Sequence, residues 1–137
     1  MAFAVRRTNY FYVTVNGERG EGQRLLAGFA GLGVDLLAFT AVPIGPTRVQ
    51  FALFPADEGK LRHAAEQAGV ALDGPHPALL VQGDDEMGAL AGIHGTLDAA
   101  DVDVFASSGV SDGRGNFGYV IYAQAEQYDR AAAALGA

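Results

Sequence analysis

Leu79-Leu-Val-Gln-Gly-Asp-Asp85-Glu-Met-Gly88-Ala-Leu90-Ala-Gly-Ile93 decides the fold, because it has a counterpart 68 residues earlier in Phe11-Tyr-Val-Thr-Val-Asn-Gly-Glu18-Arg-Gly20-Glu-Gly-Gln-Arg-Leu25. Val13 meets Val81, Glu18 meets Glu86 and Gly20 meets Gly88. Without a gap, the same offset aligns Val34-Asp35 with Val102-Asp103, Ala38 with Ala106, Val42 with Val110 and Gly45 with Gly113. It also aligns Glu58 with Glu126, Arg62 with Arg130, and Ala64-Ala65 with Ala132-Ala133. These are 12 identities in the 60 pairs from Tyr10 to Gly69, where composition alone gives about five. Apolar pairs fill the intervals, Leu25 with Ile93, Phe29 with Leu97, and Leu53 with Ile121. The chain is read as two copies of one unit.

Inside each copy the hydrophobic period changes in a fixed order. Tyr10 to Val15 is aromatic and β-branched, as in a strand. Leu25, Phe29 and Leu32 recur at helical spacing, and Gly33 suits the helix end. Leu36 to Val42 and Arg48 to Phe54 read as a hairpin about Pro43-Ile-Gly-Pro46. Asp57 caps a second helix with inner face Leu61, Ala64, Ala65 and Ala68, ending at Gly69. Val70-Ala-Leu72 is expected to be a short last strand, followed by a linker at Asp73-Gly-Pro-His-Pro77. The second copy repeats the order with strand Ala78–Gln82, a helix carrying Leu90, Ile93 and Leu97, strands Val102–Ser107 and Phe117–Ala123, and helix Glu126–Leu135. The fold class is α+β, two ferredoxin-like βαββαβ units, 1–74 and 75–137, each an antiparallel sheet with helices on one face. Ala137 aligns with Gly69, so the second unit lacks its C-terminal strand. Its first strand is then an open edge, for which Phe3-Ala-Val5, or a second chain, is the expected cover.

The 137 residues are 50% hydrophobic and 18% charged, enough for a packed core and against disorder. A net charge of −7 disfavours nucleic acid and anionic membranes as partners. The absence of cysteine excludes disulfides and thiolate chemistry. Arg6 and Arg7 follow only a short apolar start, and no apolar run approaches a membrane span, so neither a signal peptide nor a membrane segment is expected, and the location expected is cytoplasmic.

Little in the sequence points to catalysis. His63, His76 and His94 stand singly, without converging ligand spacing. Asp84-Asp-Glu86 lacks the alternating oxygens of a calcium loop and reads as a solvated turn before a helix. Gly113-Arg-Gly-Asn-Phe-Gly118 matches a dinucleotide pattern, but a strand follows it where a helix is required; Ser108–Gly115 is read as a hairpin connection. Ser107, Ser108 and Ser111 lack a nucleophile elbow. No metal or cofactor is expected. The turn from first strand to first helix carries more, since Glu18-x-Gly20 and Glu86-x-Gly88 share residues there. A glycine at a helix start exposes backbone amides to a carboxylate, and Asp85 suits an ammonium group, so together they match a free amino acid.

The stretch Leu79–Ile93, with its D-x-x-G-x-L turn, followed by Leu97, Val102-Asp-Val104 and Tyr119–Leu135, resembles the ACT domain family of small-molecule-binding regulatory modules. Through the repeat, the resemblance covers about 125 residues and implies a tandem ACT protein. It implies a regulatory function without catalysis. An amino acid would bind near the first turn, at an interface between modules in a homodimer or paired units, and a partner enzyme would respond. The ligand residues it implies are Asp85, Glu86, Met87, Gly88, Leu90 and Val102, and in unit one Glu18, Arg19 and Gly20. Unit one departs from the motif, with Gly17 at the aspartate position and Arg19 before Gly20. A ferredoxin-like α+β-barrel enzyme, a small monooxygenase or isomerase, is the rival, expected to show a closed pocket around a buried His94 or His63. A protein-interaction module pairing through sheet edges is a third.

Overall fold

The computed structural model describes residues 3–137. It contains strand β1 (Phe3–Asn16), helix α1 (Glu21–Gly31), β2 (Leu36–Pro43), β3 (Arg48–Pro55), α2 (Glu58–Ala68), β4 (Asp73–Asp84), α3 (Ala89–Ala99), β5 (Val104–Ser111), β6 (Asn116–Ala123), a 3₁₀ turn at Ala125–Gln127 and α4 (Tyr128–Ala134). Two compact units form: residues 9–76, and residues 3–8 together with residues 77–137. The strand order is β2-β3-β1-β4 in the first and β1-β4-β6-β5 in the second, the ferredoxin-like arrangement in both.

Strand alternation sets the core of each unit. In the N-terminal unit Phe11, Val13 and Val15 of β1 and Phe51 and Leu53 of β3 pack against Phe29 of α1 and Leu61 and Ala64 of α2. In the C-terminal unit Leu79 and Val81 of β4 and Tyr119 and Ile121 of β6 pack against Ile93 and Leu97 of α3 and Ala131 and Ala132 of α4. Both helices therefore cover one face of each sheet. Asp57 caps α2 by accepting the Lys60 amide at 3.1 Å, and Gly69 closes it in the left-handed conformation, as expected from sequence.

The repeat extends to backbone detail. Phe11 pairs with Leu53 as Leu79 pairs with Ile121, and β2 and β5 carry the same bulge, between Leu36 and Ala38 and between Val104 and Ala106. Gly33, with φ 82°, corresponds to Asp101, with φ 58°.

Four expectations are corrected. Residues 70–72 lie outside any strand, and Asp73–Pro77, expected to be a linker, opens β4. Gly74 makes this possible: at φ 151° it passes so close to β1 that a Cβ would meet the Phe11 ring at 2.8 Å and the Tyr10 carbonyl oxygen at 2.9 Å. The expected strand Val102–Ser107 is displaced to Val104–Ser111, because Val102 still belongs to the helix exit, its amide bonded to the Leu97 carbonyl at 3.0 Å. The last helix is out of step by one residue. The Gly69 and Val70 amides bond Glu66 and Ala65 carbonyls just as Gly136 and Ala137 bond Ala133 and Ala132, so the offset there is 67 and Gly69 matches Gly136. Of the two covers expected for the open edge of the C-terminal unit, the structure has the first, the start of the same chain. Phe3 and Val5 pack on that unit's core, Arg7 pairs with Asp129 at 2.6 Å, and the Arg7 guanidinium lies 5.4 Å from the Tyr128 ring centre.

Candidate functional site

The turn between β4 and α3 is built by backbone bonds. The Asp85 amide donates to the Gly115 carbonyl at 2.8 Å and the Glu86 amide to Asp84 at 3.0 Å. Gly88 then enters α3 at φ 85° with no side chain capping the helix. The Ala89 amide is taken by the Glu86 carbonyl and the Gly92 amide by Gly88, which leaves the Leu90 and Ala91 amides without an intrahelical acceptor. The glycine is required by its left-handed φ. It is not required by crowding, since a Cβ there would meet nothing within 4 Å.

Beside this turn is a cleft of about 380 Å³. Of the residues singled out from sequence, Asp85, Glu86, Met87, Gly88 and Leu90 line it. Ala89 and Ala91, Gly109, Val110 and Ser111 of β5, and Phe117 and Gly118 of β6 complete it. Met87 is fully exposed, with Val110 at 74% and Leu90 at 47%, so the cleft has an open apolar rim. Val102 is not part of it but lies 5% exposed in the core. The expected strand ends at Ser107, four residues short of Ser111, and so omits the β5 residues that line the cleft. Val110, aligned with Val42, was the available signal. Gly109 is needed there, as a Cβ would meet the Tyr119 ring at 2.7 Å.

The matching turn of the N-terminal unit differs. Gly20 has the same left-handed φ, 86°, but Nη1 of Arg24 stands 2.9 Å from where its Cβ would be, and Oε1 of Glu21 accepts the Asn16 amide at 3.1 Å. No side chain caps this helix start either, but the Arg24 guanidinium stands over Gly20, with Glu18 and Arg19 exposed beside it.

The buried histidine expected of the enzyme alternative is not found. His63 and His94 are both exposed. His94 Nε2 is hydrogen-bonded to the Tyr119 hydroxyl, which donates to Ser107 Oγ at 2.7 Å; neither histidine sits in a closed pocket. Among the described residues no group of three acidic or histidine side chains converges on a metal position. The Gly113–Gly118 stretch is the turn into β6, where Asp112 accepts the Arg114 amide at 2.6 Å and the Asn116 amide at 3.1 Å; these two bonds lower its pKa from 3.8. Among the described residues no helix is long and apolar enough to cross a membrane.

No protein-family model matches the chain, and no curated protein matches its sequence. Solved structures do. A protein of Bacteroides thetaiotaomicron matches with a TM-score of 0.82 at 15% identity, over 96% of this chain and 88% of its own. The ligand-free regulatory subunit of aspartate kinase from Thermus thermophilus matches with a TM-score of 0.65 at 15% identity, over 98% and 94%. That of Thermus flavus gives 0.58 at 14% identity, over 99% and 95%. At such identities the likeness is one of fold, and the fold is a tandem ACT-like one shared with regulatory parts of aspartate kinase.

Proposed function

We propose that this protein is a non-catalytic regulatory module of the cytoplasm that binds an amino acid or similar small metabolite in the cleft of its C-terminal unit. The observation that carries the reading is the pairing of an uncapped helix start, with its Leu90 and Ala91 amides, and the Asp85 carboxylate in one cleft with an apolar rim. Amides at a helix start hold a carboxylate. Asp85 and Glu86 hold an ammonium group, while Met87, Leu90 and Val110 receive an apolar side chain. The fold shared with aspartate kinase regulatory subunits supports a regulatory role. β5 ends the strand order and exposes Phe105 and Val110, so pairing of β5 with that of a second copy would close the rim into a homodimer interface. A partner enzyme would read the liganded state.

A thermal-shift panel of amino acids tests this. At 100 times the dissociation constant, a ligand of the folded state adds about 2.7 kcal/mol, a rise of several degrees. Asp85→Asn and Leu90→Arg should abolish the rise while leaving the unliganded melting temperature within about 2 °C. A panel without any rise removes the amino-acid reading, and a rise unchanged by both variants removes this location.

A further inference from the structure

We propose that the N-terminal unit carries a separate site for a small organic cation, a primary ammonium head on a short apolar tail, in a hollow of about 270 Å³ beside β1, where the segment leaving α2 runs along that strand. Phe11, Val13 and Val15 of β1 and Phe51 and Leu53 of β3 point into the core. Alternation therefore places Tyr12, Thr14 and Gln50 on the opposite face, where Thr14 stands directly across from Gln50 in the β1–β3 register. Val70, Leu72 and Asp73 supply the wall, from the segment that leaves α2 and does not begin its strand until Asp73.

The chemistry of these groups selects a cation. The Tyr12 and Thr14 hydroxyls, the Gln50 amide oxygen and the Asp73 carboxylate all accept hydrogen bonds, and an ammonium group brings three donors. No lysine or arginine lines the hollow, so a bound anion would face Asp73 without compensation. His76 holds the carboxylate through one oxygen, Nε2 to Oδ1 at 3.2 Å, and its ring lies 5.3 Å from the rings of both Tyr10 and Tyr12. The Asp73 side chain is 72% exposed, so the carboxylate stays accessible to a ligand beside that contact. The face of Tyr12 adds cation–π attraction, and the exposed edges of Val70 and Leu72, half-buried residues that also pack on the core, offer apolar surface to the tail. The other unit provides an internal control. At the equivalent positions it has Leu80 and Gly118 in place of Tyr12 and Gln50, so the acceptor set exists in only one copy.

The test is a titration of the full chain with n-propylammonium at about pH 8, followed by amide chemical shifts, with 1-propanol and propionate as controls. Expected are saturable shifts at Thr14, Gln50, Ala71 and Asp73 with a low-millimolar midpoint. The midpoint should weaken about tenfold or more for 1-propanol, for Asp73→Asn and for Gln50→Leu. Asp73→Glu should retain part of the binding, and Gln82→Leu in the other unit should change nothing. The proposal is overturned by no saturation at about 50 mM, by equal response to the alcohol, by an unaltered curve in Asp73→Asn, or by shifts confined to the Asp85–Leu90 turn. The spectrum of each variant away from the hollow reports whether it has folded. If one variant does not fold, Thr14→Val replaces it, with the same tenfold weakening expected.

Discussion

Replacing Phe3 and Val5 together by alanine should unfasten the C-terminal unit before the N-terminal one. Both side chains are half-buried against the core built from Leu79, Val81, Ala131 and Ala132, while residues 9–16 of the same strand belong to the other core. Complete burial would make Phe→Ala cost about 3–5 kcal/mol and Val→Ala roughly 1–2, and half-burial scales the pair to about 2–3 kcal/mol. For a chain of 137 residues this lowers the melting temperature by roughly 6–12 °C. Arg7→Ala is the comparison. Its ion pair is 47% and 89% exposed on its two sides, so solvent screening leaves well under 1 kcal/mol even with its contact to the Tyr128 ring. Residue-resolved hydrogen exchange on the double variant should show protection lost first from residues 78–84 and from α4, with α1 and α2 keeping theirs. An unchanged melting temperature, or protection lost equally from α2 and α4, would refute the assignment of residues 3–8 to the second unit.

Asp101 is the one described residue other than glycine with positive φ, and its counterpart is Gly33. Asp101→Gly should raise stability by about 0.5–1 kcal/mol in a denaturant melt, since it relieves left-handed strain and keeps the carbonyl that accepts Arg130. Gly74→Ala should cost about 2–4 kcal/mol, because the new Cβ meets a backbone oxygen that cannot move aside; a neutral result would mean that β4 does not start where Asp73 places it. The Asp112 carboxylate has a lowered pKa in the fold, so its two backbone bonds contribute at any pH above its ordinary value and are lost as pH falls through the lowered one. Exchange at the Arg114 and Asn116 amides should therefore accelerate only below about pH 4, and Asp112→Ala should accelerate it at neutral pH.

How much of this was legible in the sequence depends on what each feature leaves in one chain. A core strand and an amphipathic helix write their periods locally, and Phe11-x-Val13-x-Val15 and Leu25-x₃-Phe29 could be read directly. The helix starts at Gly20 and Gly88 were visible because left-handed φ selects glycine in both copies. Asp73-Gly-Pro-His-Pro77 reads as a breaker because prolines and glycine normally end pairing. Its strand character comes from close contact with Phe11 and Tyr10, about 60 residues away, which no local pattern records. The cleft was half legible for the same reason. Asp85 to Leu90 are contiguous, whereas Gly109 and Val110 reach it through the pairing of β5 with β6.

The one-residue slip at the last helix shows where an ungapped repeat stops being a structural guide. Eight identities run from Val13 to Gly45, and the strand registers there agree at 68, including both bulges. The Ala64-Ala65 and Ala132-Ala133 identities extend that offset into the helix, yet the buried pairs are Ala64-Ala65 and Ala131-Ala132. In an alanine run, identity is blind to a shift of one. Burial is not, because the 3₁₀ turn at Ala125–Gln127 replaces the Asp57 cap and brings the next turn round one residue early. The exits confirm it, with Gly69 and Gly136 both left-handed. Helix ends fixed by a glycine are thus better landmarks for aligning the two units than the small residues between them, and measured by those landmarks the second copy reaches Ala137 as the equivalent of Val70, with β1 already supplying the strand that would follow.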